Sequence, residues 1–236
     1  VIAPPYQLSA AAGSLRGAGH DENQDAWCIS HAPKGSGLGV LYAVADGVST
    51  VPRGRWAARK ACERLSHFLD DGASRDLDDL VELVGEVDWE LREHGKGSAA
   101  CTLSVAWLRD NFACLLHVGD SAIFRVREGR VLRLSQDMAN GARLDSFLGM
   151  GPSVVDQLQV HCEAQQVGDG LFLVTDGVRA VMRHTELAGW WLRTGRDPGR
   201  FVKGVVMESH RRAARDDATV VAVAIDPPST RRRVRR

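Results

Sequence analysis

Apolar residues fill seven of the eight positions from Leu38 to Ala45, and the run then stops on Asp46-Gly47. Such a run reads as a strand buried on both faces. The pattern recurs. Leu171 to Val174 are followed by Thr175 and Asp176-Gly177, and Leu115, Leu116 and Val118 lead to Gly119-Asp120. In a fourth case the order is inverted, with Asp216-Asp217 just ahead of the apolar stretch ATVVAVAI. An ionised carboxylate at the end of a core strand is costly unless a cation or strong donors meet it. One Asp-Gly pair is an ordinary turn. Four acidic strand ends together predict a shared cation site.

Three segments carry helical spacing. Residues 53–70 put Ala57, Ala61, Leu65, Phe68 and Leu69 on one face, and residues 76–94 do the same with Leu77, Leu80, Val84, Val87 and Leu91. The second has an acidic first turn that suits the helix dipole. Residues 198–213 open on Asp197-Pro198, a cap followed by proline at the first helical position. Trp190-Trp191 is expected to pack a helix and not to form a binding platform. Between the helices, residues 100–108, 112–118, 122–127 and 131–134 are joined by the short turns RDN, GDS and EGR. They predict a meander of four antiparallel strands. HAPKGSG, at 31–37, reads as a loop between two earlier strands. Helices bracket the strands and do not alternate with them, so the expected class is α+β, with layered sheets and helices outside.

The chain has 236 residues, 44% of them hydrophobic, enough for one substantial core. We read residues 1–226 as a single domain and 227–236 as a basic tail without structure. Net charge is zero, yet five of the 30 basic residues sit in RRRVRR at the end, leaving 25 against 30 acidic ones. A mildly acidic body argues against nucleic acid as a partner. No apolar run approaches the about 18 residues of a membrane span. The five cysteines have no C-x-x-C pairing. They read as reduced thiols in a cytoplasmic protein, with Cys101 and Cys114 as small core hydrophobes.

Carboxylates far apart in sequence but sharing one site suit hard cations such as Mg²⁺ or Mn²⁺. Two such ions can activate water and steady a phosphoryl group. Zinc fits less well, because no H-x-x-x-H and no cysteine pair is present. A Walker loop and a G-x-S-x-G elbow are absent as well.

The order of motifs resembles the protein phosphatase 2C family of metal-dependent Ser/Thr phosphatases, in a compact bacterial form. HDENQDA (20–26), VADG (44–47), GSAACTLSVA (97–106), HVGDS (117–121), LSQDM (134–138), GDGLFLVTDGV (168–178) and RDDATVVAV (215–223) follow one another over nearly the whole chain. The resemblance implies a four-layer α/β/β/α sandwich whose two central sheets are mainly antiparallel. It implies two Mn²⁺ or Mg²⁺ ions bridged by Asp46, with the carbonyl of Gly47 on the second and Asp176 and Asp216 completing the first. Asp25 would order water held by the metals, and Gly97-Ser98 would pack beside the sheet. A metal-bridging hydroxide would attack phosphorus directly, without a phosphoenzyme. The substrate would be a phosphoserine or phosphothreonine protein, the natural opponent a bacterial Ser/Thr kinase, and the enzyme a monomer.

Departures from the family pattern define the alternative. Gln24, an amide, stands where the family often carries Glu, a metal ligand in some members, and His20 where many carry a phosphate-binding Arg. Val48-Ser49-Thr50 replaces a segment that in some members holds a proton-donating His. Asp120 matches one ligand of a third metal, but Ala180 occupies the partner position. These residues motivate a catalytically weak, phosphatase-like module that binds or senses a phosphoprotein. Asp217 is expected to support the ligands and Asp137 to be structural. Arg53 and Arg55 are candidates to meet a phosphopeptide, and the segment 139–167 to shape substrate choice.

Overall fold

The computed structural model describes residues 6–140, 143–151 and 154–228. In chain order the elements are β1 (Gln7–Leu15), β2 (Ala26–His31), β3 (Val40–Ala45), α1 (Gly54–Ser66), α2 (Leu77–Gly95), β4 (Leu103–Arg109), β5 (Phe112–Val118), β6 (Ala122–Arg127) and β7 (Arg130–Arg133). There follow β8 (Ala139–Asn140), β9 (Arg143–Leu144), α3 (Val154–Gln157), β10 (Gln159–Ala164), β11 (Gly170–Val174), α4 (Asp176–Arg179), α5 (His184–Arg193), α6 (Pro198–Arg211) and β12 (Ala218–Asp226).

Two five-stranded sheets, ordered β1-β12-β11-β6-β7 and β10-β5-β4-β3-β2, lie face to face. Every pairing within them is antiparallel. Tyr42, Val44, Leu115, Leu171, Leu173 and Val221 pack between the sheets. On the outer face of one sheet, Leu41, Ala43 and Ala45 meet Ala57, Ala61 and Leu65 of α1 and Leu80, Val84 and Leu91 of α2. On the other, Phe172, Val174, Val220 and Ala222 meet Leu187 and Trp191 of α5 and Phe201 and Val205 of α6. The result is the expected α/β/β/α order. It also explains the unbroken apolar runs, since a strand covered on both faces has no polar side to show.

The helix starts follow their caps. Asp76 accepts from the Asp79 N–H while Asp79 returns a bond to the Asp76 N–H, and Asp197 accepts from the Arg200 N–H ahead of Pro198. Trp191 is buried against Phe172 and Phe201, and Trp190 lies beneath the Arg193 guanidinium, so both serve packing.

The four-strand meander needs correction. β4 and β5 form a hairpin in one sheet and β6 and β7 a hairpin in the other. The chain crosses between sheets at Gly119-Asp120-Ser121. Gly119 has φ of +107°, and a Cβ there would lie 2.5 Å from that of Thr102. The three residues have hairpin length but turn the chain out of its sheet. β1 was also missed, because QLSAAAGSL has little strand propensity and owes its form to pairing with β12 along its whole length. Of the tail read at 227–236, residues 229–236 lie outside the described residues. No described helix is long and apolar enough to cross a membrane.

Candidate functional site

The acidic strand ends meet at one end of the sandwich. Asp46 follows β3, and the Asp46 carbonyl accepts from the Thr102 N–H at 2.8 Å. Gly47 threads between backbones: a Cβ there would sit 2.4 Å from the carbonyl carbon of Gly54 and 2.8 Å from the carbonyl oxygen of Gln24. Asp176 opens α4 at the end of β11, and Gly177 lies so close to the Asp217 carbonyl that a Cβ would come within 2.1 Å. Asp216 and Asp217 precede β12, and Asp25 precedes β2. Thus one sheet brings Asp25 and Asp46, and the other Asp176 and Asp216.

These groups feel one another. Burial, and then the charges of Asp25, Asp176, Asp216 and Asp120, push Asp46 well above the usual carboxylate range. Burial also raises Asp25, against hydrogen bonds from Thr219 and Thr175. Asp176 is pushed up to about 6 by burial first and by Asp216 and Asp120 next. Asp120 is raised by burial in spite of Arg179. A cluster of carboxylates that hold one another's protons on calls for positive charge.

Asp25 is buried, and its two oxygens differ. Oδ2 accepts from Thr175 Oγ1 at 2.9 Å and Thr219 Oγ1 at 2.5 Å, whereas Oδ1 is buried with no partner. Asp176 Oδ1 and Gln24 Oε1 are also buried and unpartnered. Orphaned buried acceptors are rare in folded proteins and ask for a donor, a water or a cation. Carboxylate and amide oxygens with one backbone carbonyl form the donor set that Mg²⁺ and Mn²⁺ prefer, so the residues fit such ions. The tightest grouping among the described residues is His20, Asp216 and Asp217, whose ligand atoms lie within 4.8 Å of one another.

Asp217 is committed to the protein. It accepts from the Gly17 N–H at 2.8 Å, the Gln24 N–H at 2.7 Å and, at 2.9 Å, from His20 Nδ1. Burial works against the charged form of His20, but the bond to Asp217 and the charges of Asp216, Asp217 and Asp176 outweigh it and raise its pKa. Asp217 therefore moors the segment that delivers His20, Gln24 and Asp25. Replacing it with Ala leaves three donors unmet and is expected to cost about 3 kcal/mol of stability. Urea denaturation checks this; a loss under about 1 kcal/mol means that water replaces the carboxylate.

Asp137 is structural, as expected. Burial would raise it, but Arg133 and Arg179 hold it below its ordinary value. Arg179 pairs with Asp137 and donates to the carbonyl of Asp120. Arg53 donates to the His94 carbonyl and stacks on Trp56, and Arg55 pairs with Glu22. Both candidates for a phosphopeptide are thus engaged at home. Gly97 does not pack tightly: it has φ of +71° just beyond Lys96, the left-handed cap that ends α2, and a Cβ there would meet nothing within 4 Å. A cavity of about 370 Å³ lined by Asp120, Asp137, Ala139, Asp176, Arg179 and Ala180 opens beside the carboxylates. A larger groove of about 1020 Å³ over α2, including Val81, Trp89 and Val155, touches none of them. Sequence reading missed Thr175, Thr219 and Arg179. The one signal for the two threonines is that each stands beside an acidic strand end.

Residues 14–213 match the model of a family described as protein phosphatase 2C. The chain is 28% identical over 183 residues to a protein phosphatase PTC7 homolog of Drosophila mojavensis, covering 67% of this chain but 54% of that protein. It therefore spans about half the length of this curated relative. Among solved structures, the PPM Ser-Thr phosphatase MsPP of Mycobacterium smegmatis, in complex with cacodylate, is similar with a TM-score of 0.75 and 25% identity, over 93% of this chain and 98% of that one. The catalytic domain of PstP, solved in complex with two manganese ions, has a TM-score of 0.76 and 19% identity, over 93% and 98% of the two chains. That second likeness is one of fold.

Proposed function

Because the chain belongs to the protein phosphatase 2C family, we propose that it hydrolyses phosphoserine and phosphothreonine in a protein substrate and opposes a Ser/Thr kinase. The observation that carries this reading is the convergence of Asp46, Asp25, Asp176 and Asp216 from both sheets, raised by burial and by one another, with orphaned acceptors among them. Asp46, Asp176, Asp216 and the Gly47 carbonyl would hold two Mn²⁺ or Mg²⁺ ions, with the buried Gln24 amide oxygen as a neutral donor or a water anchor. When bound, such ions supply positive charge to the phosphoryl oxygens and acidify water at the site.

The chain's own residues do the rest. Thr175 and Thr219 hold Asp25 Oδ2, which leaves Oδ1 as the acceptor that orients the attacking water. His20 is fixed through Nδ1 by Asp217, so Nε2 is the ring nitrogen left to donate to a phosphate oxygen. The cavity beside Asp120 and Arg179 receives the substrate. Asp120 would make a poor third cation site, since Ala180 offers no ligand.

Gln24, Val48 and Ala180 favour a second reading, a domain that binds a phosphoprotein without turnover. One experiment separates the two: metal-stripped protein is assayed on a phosphothreonine peptide while Mn²⁺ or Mg²⁺ is titrated back. Turnover that requires metal supports the phosphatase. A folded, metal-loaded protein that binds the peptide and leaves it phosphorylated supports the binding module.

A further inference from the structure

Cys114 of β5 and Cys162 of β10 face each other across neighbouring strands. The Gln165 N–H donates to the Asn111 carbonyl, which makes those two a hydrogen-bonded pair. Pair types alternate along an antiparallel ladder. Ala164–Phe112 is then the open type, Glu163–Ala113 the bonded type and Cys162–Cys114 the open type again. Open pairs are the closer ones, with Cα atoms about 4.5 Å apart, inside the span that a disulfide bridges. Both thiols are free, Cys162 exposed and Cys114 half-buried.

We propose that Cys162 and Cys114 form a reversible oxidation site that takes hydroperoxides. The exposed Cys162 thiolate attacks the outer peroxide oxygen, the O–O bond breaks, and the sulfur becomes a sulfenic acid as an alcohol or water leaves. Cys114 then attacks that sulfur and expels water. Two thiols and one hydroperoxide give one disulfide, one alcohol or water, and one further water; the sulfurs lose two electrons and the O–O bond accepts them. A small dithiol reverses the step. The order of attack follows from access: Cys162 is exposed and Cys114 half-buried, and burial, then the Cys162 sulfur beside it, push Cys114 up to about 12, which makes it the poorer initiator; its place opposite Cys162 is what lets it resolve. Cys28 and Cys62 also adjoin, Cys62 being raised by Cys28 and then by burial, but both are at most 7% exposed. They line a separate cavity of about 260 Å³ and, being less exposed than Cys162, are the internal reference for a slower pair.

The crosslink would tie the edge strand β10 to β5. It would close the stretch that carries Asp120, Asp137 and the β8–β9 hairpin, the border of the cavity beside the carboxylates. The test treats the whole protein with about tenfold hydrogen peroxide, blocks free thiols and maps peptides without reduction. The expected product joins the Cys114 and Cys162 peptides, is lighter by two hydrogens, reverts with a dithiol, and raises Tm by about 5 °C or more. Cys162→Ser removes both the crosslink and the Tm rise, whereas Cys114→Ser leaves Cys162 as a trappable sulfenic acid. The proposal fails if Cys114 stays alkylatable while Cys162 over-oxidises, if Cys28 and Cys62 crosslink first, or if Cys162→Ser keeps the Tm rise.

Discussion

Asp46→Asn lowers metal-dependent turnover of a phosphothreonine peptide by roughly a thousandfold or more, a loss of about 4 kcal/mol of transition-state stabilisation. The substitution preserves shape and removes one negative charge. Asp46 is buried, and the charges of Asp25, Asp176, Asp216 and Asp120 all act on it. In the proposed centre it would be the ligand whose loss costs most. The variant should also need far more Mn²⁺ to reach its residual rate. Its metal-free form should melt no lower than wild type, because one source of repulsion is gone. That combination separates a ligand from a structural residue: a lower metal-free Tm with unchanged metal dependence would remove Asp46 from the proposed centre.

The acidic cluster stabilises metal-free protein increasingly as the pH falls from 7.5 to 5, so the rise in Tm on adding Mn²⁺ shrinks over the same range. Asp176 is raised from 3.8 to about 6 in the fold, and Asp46 and Asp25 are raised too. A folded pKa above the unfolded one means that the native state binds the extra protons. The stability so contributed is fully present below about 4 and is lost as the pH rises through 6. Asp176 alone accounts for on the order of 3 kcal/mol. Lowered carboxylates act in the opposite sense, but Glu186 and Glu208, held down to about 2 by Arg212 and Arg211, matter only below about 4.5. The buried His117 does act within the window from 5 to 7.5: burial first, and then Arg133, lower it from 6.5 to about 4, so it opposes the cluster as the pH falls. Its contribution is the same with and without metal, so the cluster is read from the change in Tm that Mn²⁺ causes at each pH. Saturating Mn²⁺ replaces protons as the neutralising charge, so it should raise Tm strongly at pH 7.5 and little at pH 5. Thermal melts in chelator and in Mn²⁺ at both pH values check this. A Tm rise on adding Mn²⁺ that is equal at both pH values would mean that the carboxylates are already neutralised by the protein.

Much of this was legible in the sequence because its cause is local. A core strand that ends on aspartate breaks a simple rule of burial, and Asp46, Asp176 and Asp216 each break it. The caps at Asp76 and Asp197 are local too, and α2 and α6 begin where those residues put them. What stayed hidden depends on contacts between distant segments. Thr175 and Thr219 become the donors to Asp25 only once β11 and β12 pair and the other sheet closes over them. The division of β4–β7 between sheets turns on a backbone angle at Gly119, which a turn-like tripeptide does not disclose. Gln24 looked like the loss of a ligand. In the fold its amide oxygen is buried and unpartnered in the same segment as Asp25, a place where a neutral oxygen can still serve a cation.

The pairing of β1 with β12 has one more consequence. Gln7 lies opposite Asp226, and Leu15 opposite Ala218, next to the acidic pair. The strand ends at Gln7 and Asp226 thus leave the sandwich side by side, about a whole strand length, some 30 Å, from the carboxylates. A short linker could join them and the chain be reopened in the exposed turn at Lys34-Gly35, giving a circular permutant with the same architecture. By the same geometry the unit can be spliced into a surface loop of a host protein, both junctions on one pole and the cleft facing outward from the other.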